Sequence, residues 1–364
     1  MQPGVAAFAP SNRVTDAPSP VSSMARPRVS VALCVYNGGK YLPMQLGSLL
    51  AQQGVDLEIV AVDDCSTDDS LDVLNAYARF DPRLRVIANE DNLGHLRSFE
   101  KCMSLCTAPL IAPCDQDDVW DPHKLAKLAA ALGDADLAYC DSAYIDGDGR
   151  PLGRNISCDL KHMHAGRDPL PYVFRNTVSG HALLVRRDVL DAALPFPAQL
   201  YHDWWLAIRA AAGNGVVYVD EPLVQFRRHV TAVSPLGKHK CATHKERKAE
   251  RVQEEAEAAA NAEKQCRVYS DRKWLDERLY LLHALGNTEW PGSKEAREME
   301  AALQAAVQGH YGLLWRAAWR NRASLPPHKG FAWWNALQFV KRTRRKLKRA
   351  PMQEPVAAGK LFRV

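Results

Sequence analysis

Three carboxylates lie within four residues of the chain, in Asp115-Gln116-Asp117-Asp118, directly after the apolar run 109–114. The run predicts a short buried strand. Because alternate side chains of an extended segment point to the same side, we expect Asp115 and Asp117 to converge on one point. Such a pair suits an octahedral divalent cation, Mg2+ or Mn2+. The alternative is a solvated acidic turn before the next helix, which Asp121-Pro122 would begin.

The composition is that of a globular protein with room for a large core. The chain has 364 residues and a net charge of +5, and seven of the nine residues in 341–349 are Lys or Arg. Its nine cysteines form no Cys-x-x-Cys pair and are odd in number, which predicts reduced thiols in a cytoplasmic protein. The sequence shows neither the apolar core of a signal peptide nor a run near the ~20 apolar residues that cross a bilayer. We therefore expect any membrane contact to be peripheral, on the inner face of the cell membrane.

Strand-like and helix-like segments alternate from Arg28 onward, which predicts βαβ units and a parallel sheet covered by helices. The strand-like runs are 29–35, 57–62, 84–88 and 109–114. A polar cluster follows each run closely: Tyr36-Asn37, Asp63-Asp64, Asn92 to Gly94, and Asp115 to Asp117. Ligands of such sheets bind beyond the carboxyl ends of the strands, so the four clusters predict one site. Neither a Gly-x-Gly-x-x-Gly nor a Gly-x-x-x-x-Gly-Lys loop is present, so we expect a diphosphate to be held through a metal.

The rest of the chain predicts further elements. Ser66 and Thr67 indicate the N-cap of a helix that runs to Phe80. Later strands are predicted at 136–140, 176–185, 216–219 and 223–226, with a hairpin tip at 146–149 and a helix that opens at 201–205. After about Ser234 the pattern is helical and charged, for example over 245–265.

Five motifs, in their order and at their spacings, resemble the family 2 inverting glycosyltransferases of GT-A fold over residues 28 to about 233. They are the segments 35–42, 62–68, 92–94, 114–120 and 202–205. The Asp-Gln-Asp-Asp-Val-Trp and His-Asp-Trp-Trp variants are similar to bacterial cell-surface polysaccharide transferases, often rhamnosyltransferases. The resemblance implies an α/β fold with a Rossmann-like, mixed and mostly parallel sheet flanked by helices, followed by a helical C-terminal extension.

The same resemblance implies a nucleotide-sugar donor at the strand ends. One carboxylate of Asp63 and Asp64 would accept a hydrogen bond from N3–H of uracil or thymine, and Tyr36 would flank the base. Either acid could instead cap the following helix. The donor-binding residues implied are Tyr36, Asn37, Asp63, Asp64, Asn92, Gly94 and Asp115. Cys65 departs from the family, in which a glycine is usual at this turn.

A bound metal would bridge the donor diphosphate and offset the charge that develops on the leaving group. The resemblance implies Asp117, Asp115 and His229 as ligands. Which of Asp115, Asp117 and Asp118 coordinates directly stays open. His229 could equally be a structural histidine, or part of a basic cluster that pairs with the diphosphate.

Inversion at an anomeric carbon requires a base that takes the proton of the acceptor hydroxyl. Asp203 is the candidate, because it stands at a predicted helix start, where the macrodipole favours an ionised carboxylate. Trp204 and Trp205 would provide a stacking platform for a sugar, and Gly180 is assigned to the same acceptor site. An ordinary N-cap followed by two core tryptophans is the alternative.

The C-terminal part of the sequence predicts a function other than catalysis. Phe331, Trp334, Leu337 and Val340 fall on one side of a predicted helix that continues into the basic run, which favours docking on an anionic membrane surface through 331–349. A helix packed on the domain with a solvated basic end is the alternative. Nucleic acid is not expected as a partner, because the aromatic residues stop before the basic run. The predicted divisions are a disordered tail (1–27), the GT-A domain (28–235), a helical extension (236–330), the basic membrane helix (331–350) and a second tail (351–364).

Taken with the residues above, the resemblance implies a metal-dependent inverting glycosyltransferase that moves a sugar from a UDP- or dTDP-sugar to a glycan or lipid-linked acceptor. The signature Gln-x-x-Arg-Trp of processive synthases is absent, which favours single addition. The alternative of another class is a non-catalytic nucleotide-sugar-binding or scaffold protein of the same fold. A nucleotidyltransferase would need a basic phosphate loop near the first strand, and none is visible.

Overall fold

The computed structural model describes residues 26–228, 271–326 and 332–349. Within these ranges nine strands form one sheet: β1 Arg28–Val35, β2 Asp56–Asp63, β3 Leu84–Ala88, β4 Leu110–Cys114, β5 Val119–Trp120, β6 Leu137–Ile145, β7 Pro151–Asn155, β8 Leu183–Arg186 and β9 Val216–Arg227. The helices are α1 Leu42–Leu50, α2 Ser70–Phe80, α3 His95–Leu105, α4 Lys124–Leu132, α5 Ile156–Leu160, α6 Leu170–Phe174, α7 Arg187–Ala193, α8 His202–Ala212, the helical stretch 271–286 (α9), α10 Ser293–Val307, α11 Tyr311–Arg320 and α12 Ala332–Arg349. Residues 1–25 of the predicted tail 1–27, the predicted tail 351–364, the segment 245–265 and His229 lie outside the described residues.

The sheet is mixed and mostly parallel on its N-terminal side, as predicted. Its strand order is β3-β2-β1-β4-β8-β6-β9-β5, with β7 paired to β6. The strands β3, β2, β1 and β4 run parallel, and their register sets Val35 beside Asp63 and Leu33 beside Cys114. The carboxyl ends of β1, β2 and β4 therefore meet at one edge of the sheet.

Alternation along the strands divides the core into two layers. Val31, Leu33 and Val35 of β1 pack in the layer that contains α1, α2 and α4. Ala32 packs in the layer that contains α3, α6, α8 and the C-terminal helices. Leu281, Leu303 and Leu314 of those helices are fully buried in the second layer, so the C-terminal helices share a hydrophobic core with the sheet.

Three local predictions were wrong. Ser66 and Thr67 do not cap α2, which begins at Ser70; both bind Asn37 instead. Within 176–185 only Leu183 onward is strand, because a 3-10 turn occupies Gly180–Ala182. The two short strands predicted at 216–226 are the single strand β9, since register shifts against β6 accommodate Pro222.

The helix α12 packs on the protein, as the alternative interpretation expected. Ala336, Phe339, Thr343 and Leu347 form its buried side. The Phe339 ring lies 4.9 Å from the ring of Phe174 in α6. Of the stripe predicted from the sequence, Trp334, Leu337 and Val340 are only partly buried, because helical spacing offers two apolar sides and the other one packs against the protein. None of the helices in the described ranges combines the length and the apolar character that a membrane crossing requires.

Candidate active site

The loop after β1 is joined to the loop after β4 by the side chain of Gln116. Its Oε1 accepts a hydrogen bond from the Tyr36 amide at 2.7 Å, and its Nε2 donates to the Tyr36 carbonyl at 3.0 Å. A Cβ on Gly38 would overlap Gln116 Oε1, so any side chain there would displace the Gln116 side chain. Gln116 thus holds Tyr36, which is half exposed, at the sheet edge beside the acidic loop.

Asp63 ends β2 and is almost fully buried. Its Oδ2 accepts from the Ser66 amide at 3.0 Å, while its buried Oδ1 has no hydrogen-bond partner among the described residues. Buried acceptors without a partner are rare, so this oxygen suits an N–H group brought by a ligand. Asn37 lies opposite, with a positive φ of 51° and its Oδ1 bound to the Thr67 amide at 2.8 Å.

Asp64 differs from Asp63, because its carboxylate is occupied by the protein. The backbone N–H of Leu93 and that of Gly94 donate to its two oxygens at 2.8 and 2.9 Å, and Asn89 donates a third bond at 2.8 Å. Burial alone raises the pKa of Asp64, but these donors outweigh it and hold the pKa below its usual value. Asn92 also donates to the Asp64 carbonyl at 3.0 Å. The structure therefore uses Asp64 to hold the 89–94 loop, and a direct donor contact of its carboxylate stays a prediction.

Asp115, Asp118 and His181 form a group of potential metal ligands. One donor atom from each lies within 4.8 Å of the others. His181 Nδ1 is 3.6 Å from Asp115 Oδ2 and 3.7 Å from Asp118 Oδ2. The other ring nitrogen of His181 is 3.0 Å from Ser142 Oγ, and its ring stacks on Phe226 at 4.5 Å between centroids. The imidazole is thus fixed in orientation by partners on two sides.

Burial and the neighbouring charges together set the pKa values of Asp118 and His181. Burial, with the carboxylates Asp117 and Asp115 nearby, raises the pKa of Asp118 to about 7. Burial alone lowers the pKa of His181, but Asp118 and Asp115 outweigh it and raise that pKa. Asp118 Oδ2 is buried and has no hydrogen-bond partner among the described residues. An orphaned carboxylate oxygen beside a second carboxylate and an imidazole is a donor set that fits Mn2+.

This group differs from the ligands expected from the sequence. Asp115 is common to both, whereas Asp118 and His181 stand where Asp117 and His229 were expected. The backbone carbonyl of Asp117 accepts from Arg227 Nε at 2.8 Å. Ligation by Asp117 stays a prediction, and His229 lies outside the described residues.

Lys124 lies behind the group as a fully buried lysine. Its Nζ donates to the His181 carbonyl at 2.5 Å and lies over the Trp120 ring. Burial lowers its pKa to about 8. The bond to the carbonyl fixes the turn that carries His181, so α4 positions the imidazole.

Asp203 lies on the other side of Asp115, in the first turn of α8. The Gly180 amide donates to its Oδ2 at 3.1 Å, the Trp204 amide donates to its Oδ1 at 2.5 Å, and Asn176 Nδ2 lies 3.4 Å from Oδ1. Burial, with the nearby charge of Asp115, raises the pKa of Asp203 to about 7. The helix terminus does not keep the pKa low, because desolvation outweighs the dipole and the two amides. A carboxyl group with this pKa suits general-base chemistry near neutral pH.

The two tryptophans after Asp203 do not line this site. Trp204 is 8% exposed, and its Nε1 donates to the Tyr172 carbonyl at 2.7 Å. Trp205 donates from Nε1 to the Ala193 carbonyl at 3.0 Å and packs against the helical extension. Their indole groups bind the core, so the structure does not offer them as a sugar platform. Gly180 does lie at the site, where a Cβ would come within 2.7 Å of His202 Nε2.

Asp118 was one of the three carboxylates among which the sequence left the choice of ligand open, whereas His181 and Lys124 were not predicted from the sequence. Lys124 had a local signal, since it shares a helical face with Leu125, Leu128 and Leu132, all buried. His181 had no local sequence signal, because its contacts with Asp115 and Asp118 join residues more than 60 positions apart.

The mixed sheet, its acidic edge and the covering helices define the GT-A class of fold. Residues 30–194 match the family model described as glycosyl transferase family 2. The crystal structure of S. aureus TarS 1-349 in complex with UDP-GlcNAc superposes with a TM-score of 0.53 at 16% identity, covering 91% of this chain and 95% of that one. At this identity the likeness concerns the fold alone.

Two curated relatives come from Bacillus subtilis. EpsH, named as a glycosyltransferase, is 30% identical over 223 residues, which are 58% of this chain and 63% of EpsH. TuaG, named as a teichuronic acid biosynthesis glycosyltransferase, is 32% identical over 133 residues, which are 36% of this chain and 53% of TuaG. The matches thus span less than two thirds of either relative.

Proposed function

We propose that the chain is a metal-dependent inverting glycosyltransferase that moves a sugar from a UDP- or dTDP-sugar to a hydroxyl group of a cell-surface glycan or lipid-linked acceptor. dTDP-rhamnose is one candidate donor. The observation that carries the proposal is the pairing of Asp203, whose pKa is raised to about 7, with the Asp115, Asp118 and His181 group at one sheet edge. The fold shared with TarS, which was crystallised in complex with UDP-GlcNAc, and the names of EpsH and TuaG support the donor and acceptor classes.

Each part of the site has one task in this proposal. The free Oδ1 of Asp63 accepts from N3–H of the pyrimidine, and Tyr36 flanks the ring. Asp115, Asp118 and His181 would hold Mg2+ or Mn2+, which supplies positive charge to the leaving diphosphate. Asp203 takes the proton of the acceptor hydroxyl while that oxygen bonds to the anomeric carbon and the nucleoside diphosphate departs. Asp203 is held for this step by the Gly180 amide and by Asn176.

The test compares two matched variants in an assay of nucleotide release from a panel of UDP- and dTDP-sugars with Mn2+. Asp203→Asn should keep donor binding, measured as a rise in Tm, because ligand binding stabilises by mass action. It should lose transfer by at least 100-fold. Asp188→Asn is the control, because Asp188 is also the second residue of a helix and accepts from the next amide at 3.0 Å, but it is exposed.

Full activity in Asp203→Asn would refute the base. EDTA should abolish turnover in the wild type, and persistence of turnover would refute the metal. A wild type that binds donors yet turns over none of them would instead support the non-catalytic binding protein of the same fold.

A further inference from the structure

The stretch of the chain between Glu300 and Glu354, which includes α11 and α12, carries only positive charge. No acidic residue occurs between Glu300 and Glu354, although this stretch holds eleven lysines and arginines. Among the described residues, carboxylates from elsewhere pair with only three of them: Glu298 with Arg320, and Asp271 with Lys346 and Arg349. The helices α11 and α12 lie in this stretch and contact each other. Their outer surface therefore carries unbalanced positive charge.

The apolar side of α12 is not available for a membrane. It is buried against the protein through Ala336, Phe339 and Leu347. Its outer side carries Lys341, Arg344, Arg345 and Lys348, all exposed. By itself α12 can therefore offer charge to a partner but little apolar surface.

The helix α11 supplies exposed apolar surface beside this charge. Leu314, Ala317 and Ala318 form its buried side. On the opposite side Trp315 and Trp319 are 40% and 44% exposed, one helical turn apart, and Arg316 lies between them. Large apolar side chains grouped on a surface mark interaction sites. Tryptophan combined with arginine is typical of groups that sit at the level of lipid headgroups.

The two surfaces are continuous. The guanidinium of Arg344, from the outer side of α12, lies 5.3 Å over the ring of Tyr311 at the start of α11. Trp333, which is 46% exposed, adds a third indole at the start of α12. We call the exposed residues Leu313, Trp315, Arg316, Trp319, Trp333, Lys341, Arg344, Arg345 and Lys348 the α11–α12 face.

We propose that the α11–α12 face docks on the surface of an anionic phospholipid bilayer, with the indoles of α11 at headgroup depth and the cations of α12 against the lipid phosphates. Charge complementarity selects this occupant, because the face combines cations with exposed tryptophans and contains no carboxylate of its own. The inference goes beyond the proposed function: it assigns the membrane contact expected of residues 331–349 to a different set of side chains, and it requires nothing of the glycosyl transfer.

The test uses the full chain and sedimentation with vesicles of phosphatidylcholine alone or with phosphatidylglycerol. Wild type should bind only the vesicles with phosphatidylglycerol, and binding should fall as salt rises. Trp315→Ser with Trp319→Ser should weaken binding at least tenfold. Arg345→Glu with Lys348→Glu should do the same, and this second pair keeps the test valid if the first affects folding.

Phe80→Ser and Arg79→Glu are the matched controls, because they change an exposed aromatic residue and an exposed cation on α2, which packs beside β3. Both should bind vesicles as the wild type does. Asp203→Asn should also bind normally, which separates docking from transfer. Absence of wild-type binding to anionic vesicles, or unchanged binding in both double variants, would overturn the proposal. So would preference for RNA or for a protein partner over the vesicles, because the face would then serve another occupant.

Discussion

The contact between Gln116 and Tyr36 allows a quantitative test of how the acidic loop supports donor binding. Gln116→Ala removes both hydrogen bonds to the Tyr36 backbone. Each such bond contributes about 0.5–1.5 kcal/mol, and solvent access places these two in the lower half of this range, at about 0.7 kcal/mol each. A combined loss of about 1.4 kcal/mol corresponds to about tenfold in affinity. Because the proposal places Tyr36 at the donor and the variant leaves Asp203 untouched, we expect the donor KM to rise about tenfold while kcat changes less than twofold.

A second variant, Gly38→Ala, tests the same contact between Gln116 and the loop after β1. The methyl group of Gly38→Ala would overlap Gln116 Oε1, so this variant should also raise the donor KM. In the Gln116→Ala background the Gln116 side chain is absent, so Gly38→Ala should then raise the donor KM much less. Residues in contact show such non-additive effects, whereas independent sites add. Steady-state kinetics with varied donor at saturating acceptor would measure all four proteins. Strict additivity, or a fall in kcat at unchanged KM, would refute the reasoning.

Three further predictions concern pH, strain and metal binding. In the proposed mechanism Asp203 is the base and its pKa is raised to about 7, so kcat/KM should rise tenfold per pH unit below about 7 and level off above it; a flat profile from pH 5 to 8 would contradict this. Cys65 has a φ of 62°, so Cys65→Gly should raise the free energy of unfolding in urea by about 0.5–1 kcal/mol. By contrast, Asn37→Gly should lower the free energy of unfolding, because the hydrogen bond from the Thr67 amide to Asn37 is lost. His181→Ala should weaken Mn2+ binding at least tenfold by calorimetry, with exposed His310→Ala as the control; equal affinities would exclude His181 as a ligand.

Much of the donor side of the site could be predicted from the sequence because its parts are local. Apolar runs that end in polar clusters indicate strands, and parallel strands bring their carboxyl ends together. Tyr36, Asp63 and Asp115 therefore reach one edge, as predicted. The departure at Cys65 followed from the family resemblance, and the positive φ of Cys65 supplies the reason why a glycine is usual at this turn.

Other features depended on partners far along the chain. Ser66 and Thr67 had the character of helix caps, but Asn37 was the nearer partner once β1 and β2 paired. Trp204 and Trp205 follow Asp203 in the sequence, yet their indole N–H groups bind carbonyls of α6 and α7. A helix rotates successive side chains by about 100°, so proximity in sequence did not place them at the same site.

Local pattern thus determined the strands, the sheet edge and the carboxylates that gather there. Tertiary packing alone decided that His181 faces Asp115 and Asp118, and that Phe339 rather than Leu337 lies on the buried side of α12. The physical reason is the same in both cases. Strand and helix periodicity act over a few residues, whereas the burial of a charge or of one of two apolar sides depends on which distant surface packs against it.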